Sequence, residues 1–388
     1  MGGYMSFNYD DYDDDVHDVY DESSTLRGLL ATSGLQDFLN DEANTEIVVN
    51  RPYEIWAESS KGWQKHDAPK LDFAICKQIA NAFAVYNKLE INQQKPICSG
   101  TLPDGQRGQI VIPSACELGT VSIVVRQPSQ ERFAFEDYLD TGRLESWKDV
   151  SLFQTKNVVI PDTQRAEYEA EQGEIERLRD WLGIPDEVKL KLFELKMLEA
   201  KARRDIDSFI RLAVEHKQNI CLIGATGSGK TTFTKAICDL VPLDTRIITI
   251  EDTHELDLPK HPNRVHMFYK DVTPKALIQS TMRMKPDRIF LTELRGDEAF
   301  DYLVALNTGH GGSITTVHAN DCYSAYSRIA TLVMQSESGK QMPTSEITRQ
   351  VFTTIDVMIY LEKTRVKELS YDPVRKFKLL QGDRALFN

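Results

Sequence analysis

The stretch GATGSGKTT, residues 224–232, decides the fold. It fits the pattern G-x-x-x-x-G-K-[ST], a loop that cradles phosphates when a strand precedes it and a helix follows. Both flanks agree. NICLIG, 219–224, reads as a buried strand, and KTTFTKAICDL, 230–240, as a helix. Glycines at 224, 227 and 229 let the backbone curl, so that its N–H groups and the helix N-terminus face phosphate oxygens. The whole stretch is assigned to nucleotide: Gly224, Ala225, Thr226, Gly227, Ser228, Gly229, Lys230, Thr231 and Thr232. Lys230 is expected to reach the β- and γ-phosphates, and the Thr231 hydroxyl to bind magnesium. ATP and Mg2+ are the expected cofactors.

Outward from this loop, strands and helices alternate. RIITI (246–250), RIFLTE (288–293), SITTV (313–317) and IDVMIYLE (355–362) read as strands. TPKALIQSTMRM (273–284) opens with Thr273 as N-cap and Pro274 at the first helical position. DEAFDYLVALN (297–307) and DCYSAYSRIATLV (321–333) are further helices. Alternating βα units imply a parallel sheet covered on both faces.

Acids at the carboxyl ends of such strands fall beside the loop. Glu293 ends RIFLTE, where it can orient water or join the magnesium shell. IEDTHEL brings Glu251, Asp252 and Glu255 to the same edge, and either Glu251 or Glu255 can polarise the attacking water. NTGHGGSITTVHAN, 307–320, holds two histidines eight positions apart. No cysteine or acid stands at metal-ligand spacing from them, which argues against a metal site. His310 falls at the amino end of its strand, a structural position. His318 falls at the carboxyl end, where it can sense the γ-phosphate.

The rest of the chain sets the organisation. At 388 residues, two domains are expected. Residues 1–24 hold eight Asp or Glu and no Lys or Arg, leaving −5 of the net −13 for everything else. They read as an acidic, disordered tail. Residues 25–136 read as a mixed α/β domain, with strands at TEIVVN (45–50) and TVSIVVRQP (120–128) and a helix at LDFAICKQIANAFAVY (71–86). Residues 137–200, rich in charge, read as a solvated helical linker, and 201–388 as the nucleotide-binding domain. Six cysteines without C-x-x-C spacing read as free thiols. No run is long and apolar enough to span a membrane. The acidic start lacks the pattern of a secretory signal, so a cytoplasmic location is expected. A near-neutral core without a basic, aromatic-studded stretch argues against strong direct nucleic-acid binding.

Four segments in order, NICLIGATGSGKTT, RIITIEDTHEL, MRMKPDRIFLTELRGDEA and NTGHGGSITTVHAN, resemble the Walker A, acidic, Walker B and histidine boxes of VirB-type traffic ATPases. These serve bacterial type IV secretion and conjugation systems, within the wider secretion-ATPase superfamily. TEIVVNRP, LPDGQRGQIVIP and SIVVRQPS resemble that family's amino-terminal domain. The resemblance implies a RecA-like C-terminal domain, a smaller PAS-like N-terminal domain and a homo-hexamer that hydrolyses ATP to power pilus assembly or substrate transfer. It also implies peripheral association with the inner membrane, contact with other secretion ATPases and inner-membrane components, and indirect handling of a protein or nucleoprotein substrate. By resemblance, Arg107 and Arg126 are offered to the phosphates from the N-terminal domain, and Arg295 lies near the γ-phosphate or the next subunit. Such arginines neutralise charge in phosphoryl transfer. Thr292 stands where the family has Gly, and GQR at 105–107 where it has GER. A connector this long raises the expectation that an ATPase domain packs on a neighbour's N-terminal domain. Other readings are a type II or pilus motor, which lacks its tetracysteine module here, a docking scaffold with vestigial hydrolysis, and a DNA translocase.

Overall fold

The computed structural model describes residues 23–127, 140–141, 162–269 and 271–382. The acidic segment 1–22 and most of the first half of the connector lie outside these residues.

Six antiparallel strands form the N-terminal sheet: β1 (Glu46–Val49), β2 (Glu54–Ser59), β3 (Gly62–Asp67), β4 (Ile97–Thr101), β5 (Arg107–Val111) and β6 (Ser122–Arg126). Their spatial order is β3-β2-β1-β6-β5-β4. Three helices, α1 (Ser24–Ser33), α2 (Leu35–Asn40) and α3 (Phe73–Tyr86), cover one face. Strand periodicity assigns the faces. Ile47, Val49, Ile110, Ile123 and Val125 pack under the helices. Val48, Trp56, Val111 and Val124 point the other way, into one core with the C-terminal domain. Both faces are buried, which explains why these strands read as continuous apolar runs.

The connector differs from the expectation of a solvated linker. Helix α4 (Asp162–Leu182) is exposed over most of its length, but Leu178 joins Val188, Leu190 and Leu195 in a small core against Val374 and Phe377. In α5 (Leu192–Ala202), Met197 enters the core of the nucleotide-binding domain. Structural continuity with that domain therefore begins near Leu178, about twenty residues before the expected boundary. Charge at the surface positions hid a sparse apolar stripe.

Helix α6 (Ile206–Glu215) follows, and the strands of the C-terminal domain fall in two ladders. One has the order β10-β8-β9: β8 (Ile247–Glu251), β9 (Arg264–Phe268) and β10 (Arg288–Leu291), all parallel. The other has the order β11-β7-β12-β13: β7 (Ile220–Ile223), β11 (Ile314–Val317), β12 (Val357–Glu362) and β13 (Arg365–Ser370). Only β13 runs antiparallel. The ladders adjoin at β10 and β11, where the Leu294 amide donates to the Thr316 carbonyl at 2.9 Å. Helices α7 (Lys230–Cys238), α8 (Pro274–Thr281), α9 (Glu298–Asn307), α10 (Cys322–Val333), α11 (Thr344–Thr354) and α12 (Pro373–Leu380) complete the α/β fold. Thr273 caps α8 by accepting from the Ala276 amide, as its sequence suggests.

The two domains pack on each other within the chain. The Phe268 amide donates to the Ala115 carbonyl at 3.1 Å, and Gln109 donates to the Ser280 hydroxyl at 2.8 Å. Arg246, fully buried at the amino end of β8, donates to Asn50 at 2.8 Å and to Asn263 at 2.6 Å. This stacking of an N-terminal domain on its own ATPase domain departs from the swapped packing expected from the connector's length. The apolar face of the N-terminal sheet finds its complement, Val265, Met267, Leu277 and Met284, in the same chain.

Candidate functional site: a nucleotide-binding edge of the parallel sheet

The chain leaves β7 at Ile223 and turns through 224–229 into α7. Gly224 has φ +152°, and a Cβ there would stand 2.4 Å from the Leu361 carbonyl oxygen and 2.5 Å from Ser228 Oγ. Gly229, the N-cap of α7, has φ +92°. The pattern's glycines are therefore required by backbone geometry. Lys230 is largely buried, and its ammonium donates to the carbonyls of Gly224 at 2.8 Å and Ala225 at 3.0 Å. Burial pulls its pKa below the usual lysine range, against the opposing pull of the Glu293 carboxylate. Ser228 Oγ is buried with no hydrogen-bond partner. An orphaned donor inside a curled loop at a helix N-terminus fits a phosphate oxygen.

Around this loop the expected acids assemble. Glu293, two residues beyond β10, places Oε2 2.8 Å from Arg295 and Oε1 3.3 Å from Nε2 of His318, one residue beyond β11. Arg295 also donates to Asp252 at 3.0 Å, and its two acidic neighbours push its pKa further up, led by the hydrogen bond to Glu293. Thr231, in the first turn of α7, donates to Glu255 at 3.2 Å. Lys230, Thr231, Glu255, Glu293, Arg295 and His318 thus share one edge of the sheet. Thr292 fits without distortion: its amide and hydroxyl both donate to the Ile250 carbonyl, at 3.1 Å and 3.3 Å.

Three expectations are corrected. Glu251 is fully buried and all its acceptor capacity is used. Oε1 accepts from Thr249 at 2.6 Å and His266 at 3.1 Å, and Oε2 accepts from the Glu255 and Leu256 amides, each at 2.8 Å. It has no free lone pair for water, so of the two acids left open by the sequence only Glu255 faces the loop. Burial alone would raise the Glu251 pKa; the hydrogen bonds, His266 first, outweigh it and lower it.

Arg107 and Arg126 are the second and third corrections, because the chain does not bring them to the loop. They face each other across β5 and β6. Arg126 lies 3.6 Å from Glu46, which sits opposite Glu58, and Glu58 accepts from Lys285 at 3.0 Å. Lys285 precedes β10, whereas Glu293 follows it. Through Glu46, Glu58 and Lys285 the arginine pair is tied to the amino end of β10, and Glu293 lies past its carboxyl end, on the edge of the phosphate loop. His310 also lies at the amino edge, its Nδ1 3.2 Å from the Pro286 carbonyl, as its sequence position suggests.

Sequence reasoning missed β9 and with it His266. RVHMF is five residues long and mixes Arg and His with apolar positions, so its only signal is the alternation of Val265 and Met267.

A phosphate loop after β7, a histidine at the end of the adjacent β11 and an acid two residues past β10, the strand beyond it, define a P-loop ATPase of the secretion type. The family model for type II/IV secretion system proteins matches residues 183–362. The type IV secretion system protein VirB11 of Brucella suis is 37% identical over 358 residues, covering 88% of this chain and 89% of that protein. VirB11 of Bartonella henselae is 38% identical over 379 residues, covering 95% and 99%. PtlH of Bordetella pertussis is 32% identical over 338 residues, covering 85% and 88%. The crystal structure of the Brucella suis VirB11 ATPase with sulphate superposes with a TM-score of 0.78 at 35% identity, covering 93% of this chain and 98% of that one. The chain belongs to the VirB11 family of type IV secretion ATPases and is a nucleotide-binding ATPase. Among the described residues, no helix is long and apolar enough to cross a membrane.

Proposed function

We propose that the chain acts as a homo-hexameric ring at the cytoplasmic face of the inner membrane, hydrolysing ATP to drive pilus assembly or substrate transfer. One observation carries the reading. Lys230, Glu293, His318 and Arg295 converge on one sheet edge while Arg107 and Arg126 stand at the other. Phosphate-neutralising arginines on the N-terminal domain then serve a neighbouring copy's nucleotide, through a head-to-tail contact that a closed ring repeats at every site.

Within one site, Lys230 and the loop amides hold the β- and γ-phosphates. Glu293 takes a proton from the attacking water, and Arg295 holds that carboxylate in place. The Thr231 hydroxyl, with its proton directed to Glu255, has a lone pair to offer Mg2+. Bound Mg2+ neutralises phosphate charge as it develops. The other secretion ATPases and inner-membrane components are the partners, and the transported protein or nucleoprotein is handled through them.

Mixing two inactive variants tests the ring. Lys230→Ala subunits lack a working loop, and Arg107→Ala/Arg126→Ala subunits lack the arginines. If the arginines act on a neighbour, the mixture regains turnover that neither variant has alone, and native mass spectrometry counts six subunits. A mixture as inactive as its components, or a monomer with full activity, contradicts the reading.

A further inference from the structure

The role of Glu255 described above depends on a carboxylate that is itself exposed and on a loop without regular structure. Something must hold residues 252–256 in place. Glu251 does so through its second oxygen, which accepts from the amides of Glu255 and Leu256. What holds Glu251 is the imidazole of His266, with no exposed side-chain surface, reaching across from β9.

The tautomer follows from the partners. Arg264 Nε lies 3.1 Å from His266 Nε2, and a guanidinium only donates, so Nε2 accepts. The neutral ring then carries its proton on Nδ1, which lies 2.8 Å from Thr249 Oγ and 3.1 Å from Glu251 Oε1. A carboxylate only accepts, so the Thr249 hydroxyl donates to Glu251 at 2.6 Å, and the single Nδ1–H is shared between Thr249 Oγ and Glu251 Oε1. Every polar atom of this buried group has a partner, and each fixes the next.

Glu251, His254 and His266 also place one potential ligand atom each within 4.8 Å of one another. A cation there would have to displace the Arg264 guanidinium or the Thr249 and Glu251 contacts from His266. Glu251 and His266, with Thr249, therefore work as a hydrogen-bond relay and not as a metal centre, and His254 contributes a ring contact to His266 with centroids 4.4 Å apart.

We propose that His266 is a positioning residue for the ATPase reaction: through Glu251 and the 255–256 amides, it holds the Glu255 carboxylate on the Thr231 hydroxyl and so presets the magnesium site. This rests on the reading of Thr231 as a magnesium ligand. The strand that carries His266 is the one on which the N-terminal domain docks. Arg51 donates to the Arg264 carbonyl at 3.4 Å, and the Phe268 amide donates to Ala115. Domain docking and magnesium-site geometry thus meet on β9.

The test compares wild type with Glu255→Ala, His266→Leu and His266→Asn in the full chain. Two quantities are read: the Mg2+ concentration at half-maximal turnover, and the Mg2+-dependent tightening of a fluorescent ATP analogue. Loss of a group behind a metal ligand typically costs about 10- to 100-fold in metal affinity or activity. Glu255→Ala and His266→Leu should each raise the Mg2+ requirement about tenfold or more in both measurements. His266→Asn, whose amide N–H can stand in for Nδ1–H, should recover most of the shift. A folded His266→Leu protein with unchanged Mg2+ dependence beside a shifted Glu255→Ala overturns the relay. An unshifted Glu255→Ala overturns the underlying magnesium reading. Should His266→Leu fail to fold, the near-isosteric Thr249→Val removes the shared hydroxyl and is read the same way: a shift supports the relay and no shift overturns it.

Discussion

Glu293 and His318 meet across two strands, with His318 Nε2 3.3 Å from Glu293 Oε1. The contact ties the acid beyond β10 to the residue that begins the loop after β11. His318 is half-exposed, so it does not act as core packing. Its replacement by alanine should leave nucleotide affinity within about twofold and lower turnover by about a hundredfold, the size of effect that loss of one donor to developing transition-state charge produces. Phosphate release and fluorescent-nucleotide binding separate the two effects.

Arg246 joins the domains. Besides Asn50 and Asn263 it donates through Nε to the Met284 carbonyl at 3.0 Å, and its guanidinium lies over the Trp63 ring. Burial lowers its pKa to about 10, so it remains charged at neutral pH. Arg246→Ala leaves the Asn50 side-chain oxygen and the Met284 carbonyl without this donor, while Asn263 keeps Asn50, and should cost about 3 kcal/mol or more. Chemical denaturation measures this, and an unchanged midpoint would contradict the latch.

Glu46 carries a stability cost. It is buried, and desolvation raises its pKa from 4.5 to about 7 despite Lys285 and Arg126 nearby. A carboxyl that keeps its proton longer in the folded state contributes stability below pH 4.5, and that stability is lost as pH rises toward 7. Glu46→Gln should therefore be more stable than wild type at pH 8, by up to about 3 kcal/mol, with the difference vanishing near pH 4. Thermal melts at both pH values check the sign.

Glu251 has the opposite sign. Its lowered pKa gives stability that is present above the ordinary carboxylate value of 4.5 and lost as pH falls through the folded-state value. Glu251→Leu strands two amides, a hydroxyl and an imidazole N–H, and should cost about 3 kcal/mol or more at pH 7. The difference from wild type should shrink in acid. Denaturation curves at pH 7 and pH 3.5 give the comparison.

The sequence made the βα units legible because each β-strand of the catalytic edge is a short apolar run followed by its functional residue. Ile223 leads into the loop, Val317 into His318, and Leu291, by way of Thr292, into Glu293. It could not separate Glu251 from Glu255, because adjacency in IEDTHEL says nothing of which carboxylate turns inward. The buried one is chosen by Thr249 and His266, and His266 comes from a strand too short and polar to read. The arginines illustrate a second limit: Arg107 and Arg126 match a motif, but the motif does not encode that they stand beside Glu46, away from their own chain's loop. The connector misled through composition, since four buried apolar residues, Leu178, Val188, Leu190 and Leu195, are few among many charges.

The most direct measurement of the central claim compares Lys230→Ala with Glu293→Gln for ATP binding and for single-turnover hydrolysis. Lys230→Ala should lose both. Glu293→Gln should bind ATP with near wild-type affinity and hydrolyse it at least a hundredfold more slowly. Hydrolysis by Glu293→Gln at the wild-type rate would contradict the assignment of this sheet edge as the catalytic centre.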